Sequence, residues 1–460
     1  MRTYFLYPIL TTLIFVFVIE RVCAEVIVGA DLSFVPRLEH AGAVYRDNGQ
    51  VQDALTIFHN HDFSSVRLRL WHTPAEPWHG LDSTIAYAQR AVNAGFDFLL
   101  DIHYSDSWAD PAHQTKPTAW QGLSFAVLTD SVYHYTNAVI RRFREAGALP
   151  QFVQVGNEIS GGMLWNDGRV GGAWETPQQW SQFMALLNAA ISGVRDSLPA
   201  EQQPKIIIHF ADGGDNGACR WFFDHLQNAG LNFDVIGLSF YPWWHGSLND
   251  LSENVNDLAT RYGKEIQVVE TAYPWTLDWY DDTFNLVGTS EQLLPGYPAT
   301  PEGQLNFLRD ELAIIRSVPN GLGTGLYYWE PAWVSTPAFG SAWENIALFG
   351  FTGMSLPALD FPRLSNVFEF IKPPAFALTG PYPNPFNSST EIHLELVRAE
   401  DVSIDMFDIL GRCVHTQTIP DAATGVHRIS FNAANLASGL YIVRVEAGGY
   451  LYTRGAILIR

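Results

Sequence analysis

From residue 26 to about residue 372, short apolar runs alternate with longer amphipathic ones. The runs 26–31, 65–70, 96–103, 152–158, 205–210, 235–241, 265–270 and 325–329 read as strands. Helical spacing fills the intervals, as in 83–94, 125–146, 177–197 and 300–316. Eight strands with interleaved helices predict a (β/α)8 TIM barrel, a fold of the α/β class. A doubly wound open sheet is the alternative. Polar residues end nearly every run, which favours the barrel, because an open sheet gathers its ligand site at one switch point. No Gly-rich phosphate loop follows the first strand.

Around Lys372-Pro373-Pro374 the pattern changes. Short alternating stretches follow at 391–396, 402–407, 427–431 and 441–446, with turn residues such as Leu410-Gly411 and Ser438-Gly439 between them. They predict a small all-β, immunoglobulin-like sandwich. At the other end, Arg2, the apolar stretch 9–19 and Val22-Cys23-Ala24 read as a secretory signal, with a membrane anchor as the rival. The predicted organisation is a signal peptide over 1–24, a catalytic barrel over 25–374 and a β-sandwich over 375–460.

Composition narrows the partners. The formal net charge is −21, and removal of 1–24, which hold Arg2, Arg21 and Glu20, makes it one unit more negative. That field opposes nucleic acid and anionic membranes and leaves neutral glycans as the easier polymer. The 15 Trp residues exceed what a core demands and suit stacking on sugar faces. Past residue 24 only Cys219 and Cys413 remain, in different predicted domains, so a structural disulfide is not expected. No Cys/His cluster has zinc spacing.

The chemistry gathers at strand ends. Phe152-Val153-Gln154-Val155-Gly156-Asn157-Glu158 ends in Asn-Glu before a Gly-rich loop, and Glu265-Ile266-Gln267-Val268-Val269-Glu270 also ends in a glutamate. Glycosidic cleavage needs two such carboxylates, one to protonate the leaving oxygen and one to attack the sugar carbon. The C-terminal ends of parallel barrel strands open onto one face, where residues distant in sequence meet. The stretch Asp101-Ile102-His103-Tyr104-Ser105-Asp106-Ser107-Trp108-Ala109-Asp110-Pro111 adds carboxylates, imidazole and aromatics suited to sugars. Arg67 and Arg69 share one strand face, and a guanidinium inside a barrel needs a carboxylate partner.

These segments resemble family 53 glycoside hydrolases, the endo-β-1,4-galactanases. Gly29-Ala30-Asp31-Leu32-Ser33, Val66-Arg67-Leu68-Arg69-Leu70-Trp71, the His103 to Pro111 stretch, Gln154-Val155-Gly156-Asn157-Glu158, Glu270-Thr271-Ala272-Tyr273-Pro274 and Tyr328-Trp329-Glu330-Pro331 carry the likeness in order. The resemblance implies Glu158 as acid/base and Glu270 as nucleophile in a retaining cleavage of galactan or arabinogalactan. It implies support from Arg67 and Tyr241 for Glu270, Asn157 at the sugar 2-hydroxyl, and His103 on the floor. Sugar contacts are expected from Asp31, Trp71, Asp106, Trp108, Asp110, Trp165, His209, Trp243 and Trp329. Another retaining β-glycanase and a lapsed glycan-binding protein are the alternatives.

No cofactor is required by this chemistry. Some family members hold calcium in the loop after the nucleophile, and Asp278, Asp281 and Asp282 stand there without regular ligand spacing. The C-terminal domain resembles the type A sorting domain of the type IX secretion system, through Tyr382-Pro383-Asn384-Pro385-Phe386-Asn387, Asp408-Ile409-Leu410-Gly411-Arg412 and Ser438-Gly439-Leu440-Tyr441. A carbohydrate-binding sandwich would want exposed aromatics, and this segment has no Trp. The likeness implies secretion, with the protein extracellular or on the cell surface, and a monomer is expected.

Overall fold

A computed structural model describes residues 26–363, 376–396, 399–409, 412–433, 436–447 and 450–459. They form two compact units, 26–363 and 376–459. The expected signal segment 1–24 and the expected boundary at Lys372-Pro373-Pro374 lie outside the described residues.

In the first unit eight strands close a barrel. They are β1 (Ile27–Asp31), β2 (Ser65–Leu70), β3 (Asp97–Ile102), β4 (Phe152–Val155), β5 (Lys205–Phe210), β6 (Val235–Phe240), β7 (Glu265–Thr271) and β8 (Gly323–Tyr328). All eight neighbouring pairs are parallel, and β8 closes on β1. Each strand is covered on both faces, which is why its sequence reads as a nearly unbroken apolar run.

Short helical turns at Val35–His40 and Pro242–His245 aside, one helix follows each of the first seven strands: α1 (Ala54–Asn60), α2 (Leu81–Asn93), α3 (Phe125–Glu145), α4 (Pro177–Arg195), α5 (Asn216–Asn228), α6 (Leu248–Tyr262) and α7 (Pro301–Ser317). Six begin on a side-chain cap, from Asp53, Ser124, Thr176, Asp215, Ser247 and Thr300. Each cap satisfies an amide that the first helical turn leaves open, worth about 1 kcal/mol.

Inside the barrel the strands contribute residues in layers. Leu99, Phe152, Ile207, Val235, Val269 and Tyr327 form a dry lower layer with Ile27. Gly29 leaves room for the Tyr327 ring, since a Cβ there would sit 2.1 Å from it. Two residues further along, Leu99 is followed by Asp101, Phe152 by Gln154 and Ile207 by His209, and the layer becomes polar.

The strand β7 carries the one departure from simple alternation that matters most. Val269 belongs to the interior layer, while Thr271 Oγ1 donates to Glu311 Oε2 on α7, outside the barrel, at 2.8 Å. The pairing with β8 shifts register between Val268 and Thr271, and that with β6 between Leu238 and Ser239. This bulge changes the parity of the strand, so Glu270 points inward directly after Val269.

The second unit is all-β, as expected, in a three-stranded and a four-stranded antiparallel sheet. Its seven strands are β9 (Phe376–Tyr382), β10 (Ser389–Leu396), β11 (Glu400–Asp408), β12 (Cys413–Ala422), β13 (Gly425–Asn432), β14 (Gly439–Ala447) and β15 (Tyr450–Leu458). Ile392, Leu394, Ile429 and Phe431 of one sheet share a buried core with Val402, Ile404, Val443 and Val445 of the other. Alternation had pointed only to β10, β11, β13 and β14. The strand β12 escapes because nearly all its residues are exposed or half-buried, which leaves little apolar signal. Cys219 is buried and Cys413 exposed, both as free thiols.

Candidate active site

The polar layer is organised by one cation. Arg67, wholly buried on β2, donates from Nη1 to Asp31 Oδ2 at 2.8 Å. From Nη2 it reaches Asp101 Oδ2 at 2.9 Å, Asn157 Oδ1 at 2.8 Å and Glu270 Oε1 at 2.8 Å. Burial would raise the Asp101 carboxyl, but Arg67 and His103 outweigh it and pull it down to about 2. The second arginine of the strand, Arg69, pairs instead with the buried Glu330 at 2.8 Å. The expectation that each guanidinium needs a carboxylate is met by separate partners.

Glu270 is held through both oxygens: Tyr241 Oη donates to Oε2 at 2.9 Å while Arg67 takes Oε1. Burial pushes its carboxyl up, and Arg67 and Tyr241 pull it back, leaving it at about 7. Glu158 lies past the end of β4 rather than within it, in a left-handed conformation (φ 48°, ψ 49°) that few non-glycine residues adopt. Gly156 makes the preceding turn at φ 97°, where a Cβ would come 2.7 Å from Ile159. Burial and the negative charge of Glu270 push the Glu158 carboxyl well above the usual carboxylate range, against the Ser239 hydrogen bond and Arg67, which pull it down. No cation lies against Glu158 as Arg67 lies against Glu270. Of the two carboxyls Glu270 is therefore the first to ionise, and Glu158 keeps its proton to higher pH.

Several expected residues lie close around this pair. Asn157 accepts from Arg67 and donates to the Ala109 carbonyl at 2.8 Å. His103 is 2.9 Å from Asp101 Oδ2 through Nε2 and accepts the Ala109 amide at Nδ1, so both ring nitrogens are engaged. Aromatic rings stand around the strand ends: Trp71 and Trp108 are 5.3 Å apart, Trp108 and Trp329 6.0 Å, and Trp329 and Trp343 4.6 Å. Trp243 sits beside Tyr241 and Trp343. Trp165, on the loop after β4, donates from Nε1 to the Gly161 carbonyl and lies under Arg169.

Two of the expected sugar contacts, Asp31 and His209, are buried in the scaffold. Asp31 is fully buried, bound to Arg67 and to the Ser33 hydroxyl at 2.6 Å. His209 is also fully buried, with both ring nitrogens spent on Glu158, Gln154 and Ser239, so it has no face to offer a sugar. Asp106 accepts the amides of Thr73 and Thr118, and Asp110 that of Ala112, and both carboxylates keep exposed surface.

Three residues of the cluster were not anticipated. Gln154 donates to Asp101 at 2.5 Å, Ser239 donates to Glu158 Oε1 at 2.7 Å, and Glu330 partners Arg69. Gln154 and Ser239 each sit at the inward parity of their strand, two residues above Phe152 and Gly237. Period-two counting was the signal that could have found them.

Of the acids of the long loop, Asp281 has its carboxylate oxygens committed within the protein. Asp281 accepts the amides of Thr283 at 2.5 Å and Ser341 at 3.0 Å and lies 2.6 Å from Ser335 Oγ. Buried Glu344 takes the Tyr280 amide at 2.7 Å. These bonds tie the loop after β7 to the one after β8 and use the oxygens a cation would need. Among the described residues no three His, Cys, Asp or Glu side chains converge on a metal position.

A parallel eight-stranded barrel whose open end brings together two glutamates of unequal acidity among tryptophans describes a glycoside hydrolase. Residues 27–361 match glycosyl hydrolase family 53, and the chain belongs to that family. An uncharacterized protein of Niallia circulans is 46% identical over 361 residues, covering 76% of this chain and 98% of its own length. The arabinogalactan endo-β-1,4-galactanase of Cellvibrio japonicus is 38% identical over 346 residues, covering 73% and 89%. The solved GH53 catalytic domain of Ignisphaera aggregans superposes with a TM-score of 0.69 at 39% identity, covering 74% of this chain and 96% of that one. Residues 381–459 match the secretion system C-terminal sorting domain, which marks the chain for export. Among the described residues no helix is long and apolar enough to cross a membrane.

Proposed function

We propose that the barrel hydrolyses internal β-1,4-galactosidic bonds of galactan or arabinogalactan with retention, using Glu270 as nucleophile and Glu158 as acid/base. The observation that carries this reading is the unequal environment of the two carboxyls. Glu270 faces Arg67 and Tyr241, which hold it as an anion. Glu158 faces burial and that anion, which hold its proton.

In the first half-reaction Glu270 attacks the anomeric carbon while Glu158 gives its proton to the departing glycosidic oxygen, and a glycosyl ester forms. Esterification removes the Glu270 charge, so Glu158 becomes more acidic and can serve as base. In the second half Glu158 takes a proton from water, the hydroxide attacks the anomeric carbon, and Glu270 leaves as carboxylate. Asn157, fixed by Arg67 and Ala109, is the residue proposed for the sugar 2-hydroxyl. Trp71, Trp108, Trp165, Trp243 and Trp329 are proposed as stacking surfaces. The relatives named as arabinogalactan endo-β-1,4-galactanases support galactan as the polymer.

Residues 25–374 are the proposed catalytic domain and 375–460 the sorting domain, and the enzyme acts as a monomer. The barrel's eight strands are complete by Tyr328, ahead of the sorting match at 381.

Glu158→Ala tests the assignment. An activated aryl galactoside should still form the ester readily, since its leaving group needs little protonation, while galactan cleavage collapses. Azide should restore turnover by replacing the base-activated water. Equal losses on both substrates with no azide effect would remove Glu158 from the role.

A further inference from the structure

Behind Glu158 a chain of buried hydrogen bonds begins and ends on the same residue. The Glu158 backbone N–H donates to His209 Nδ1 at 3.2 Å, and a backbone amide can only donate. Gln154 Nε2 also lies 3.0 Å from that nitrogen. Asn157 Oδ1, 3.1 Å away, is already filled by Arg67 at 2.8 Å and Gln154 at 3.1 Å. Nδ1 is therefore an acceptor, and the ring proton resides on Nε2, 2.8 Å from Ser239 Oγ. A hydroxyl that accepts from the imidazole has its own proton free, and Ser239 Oγ gives it to Glu158 Oε1 at 2.7 Å. His209 and Ser239 are both wholly buried, so water does not compete for these bonds.

We propose that Ser239, oriented by His209, fixes Glu158 Oε1 as a permanent hydrogen-bond acceptor, so that the proton exchanged with substrate and water is carried only on Oε2. The proposal rests on the reading of Glu158 as acid/base. Ser239 is a positioning residue in this scheme and touches no reacting atom. In the first half-reaction Oε2–H protonates the glycosidic oxygen. In the second, Oε2 accepts the water proton while Oε1 keeps its bond to Ser239. No proton passes through the relay: burial and Arg67 keep His209 neutral.

The bond also sets a balance. Ser239 donates better to the carboxylate than to the acid, so it counters burial and Glu270 and keeps Glu158 able to ionise when the ester forms. The charged and titratable groups acting on this unit are Glu270, Arg67 and Asp110 on Glu158, and Arg67, Asp101, His103 and His245 on His209. Changes at Ser239 leave all of them in place.

The test is the pH profile of the full chain bearing Ser239→Ala, Ser239→Cys or Ser239→Thr. In Ser239→Ala the alkaline limb of kcat/KM on β-1,4-galactan should move up by roughly one pH unit. The acid limb of kcat on an activated aryl galactoside, where ester hydrolysis limits, should move up as well. Ser239→Thr should restore both limbs. Ser239→Cys, a weaker donor, should shift them the same way by less, and it decides the matter if the alanine variant does not fold. Unmoved limbs in folded Ser239→Ala, or in Ser239→Cys in its place, overturn the relay. Glu158→Gln separates the two ideas. Loss of the alkaline limb there with no shift at Ser239 sinks the relay alone, and a persisting limb sinks the acid/base reading and the relay with it.

Discussion

Two layers of the barrel interior, two residues apart on the same strands, are held together by different physics. The lower layer of Leu99, Phe152, Ile207, Val235, Val269 and Tyr327 is dry and apolar. Directly above it stand Asp101, Gln154 and His209, joined with Asp31 and Glu270 through or beside Arg67. The lower layer is stabilised by close packing, which tolerates swaps of similar volume. The upper layer depends on charge matching, where the loss of one partner strands the others in a low-dielectric interior. A fold can thus carry a costly polar cluster because an inert floor beneath it fixes the strands.

The comparison is sharpened most by Glu270→Gln. The amide keeps the shape and leaves Arg67 with Asp31 and Asp101, but it cannot form the ester. Turnover on galactan should fall by roughly three orders of magnitude or more, with the thermal midpoint little changed. Activity near that of the unaltered enzyme at normal stability would reject the proposed nucleophile.

Arg67→Met should break the upper layer as a unit. It leaves Asp31, Asp101 and Glu270 without their common cation, at a cost of about 3–5 kcal/mol in denaturant unfolding, together with loss of activity. A loss of activity with no loss of stability would mean that the cluster does not need its cation to persist.

Smallest is Ile207→Val in the lower layer, two residues below His209. It should cost about 1 kcal/mol. The pH limbs of the folded enzyme should stay where they are. A moved limb would show that the floor tunes the chemistry and does not merely support it.

Most of the architecture was legible because each barrel strand is buried on both faces and so announces itself as an apolar run. The ends of β3 and β4 came out early, at Ile102 and Val155, because the residues beyond turn away from the ladder: Tyr104 and Glu158 both take positive φ. The inward aim of Glu270 depends on a bulge, and a bulge has no signature in Val268-Val269-Glu270. Period-two counting puts Ser239 inside the barrel, but a lone serine in Val235-Ile236-Gly237-Leu238-Ser239-Phe240 gives no sign of a partner. His209 and Asp31 are expected as sugar contacts from the resemblance alone, whereas their strand positions direct them into the barrel. Composition could show that tryptophans were abundant, and only the strand-end geometry could show which of them face one another.

The link that holds His209 in place starts from the main chain of Glu158, at its amide. A substitution at that position changes the side chain and leaves the amide. Glu158→Ala therefore subtracts a carboxyl from a setting that remains assembled: His209 stays anchored, Ser239 Oγ keeps its donor, and a vacancy opens beside an intact Glu270. For a synthetic chemist this is a ready vessel. The ester can be loaded from an activated donor, and a small thiol or azide offered to the vacancy becomes the new aglycone in place of water.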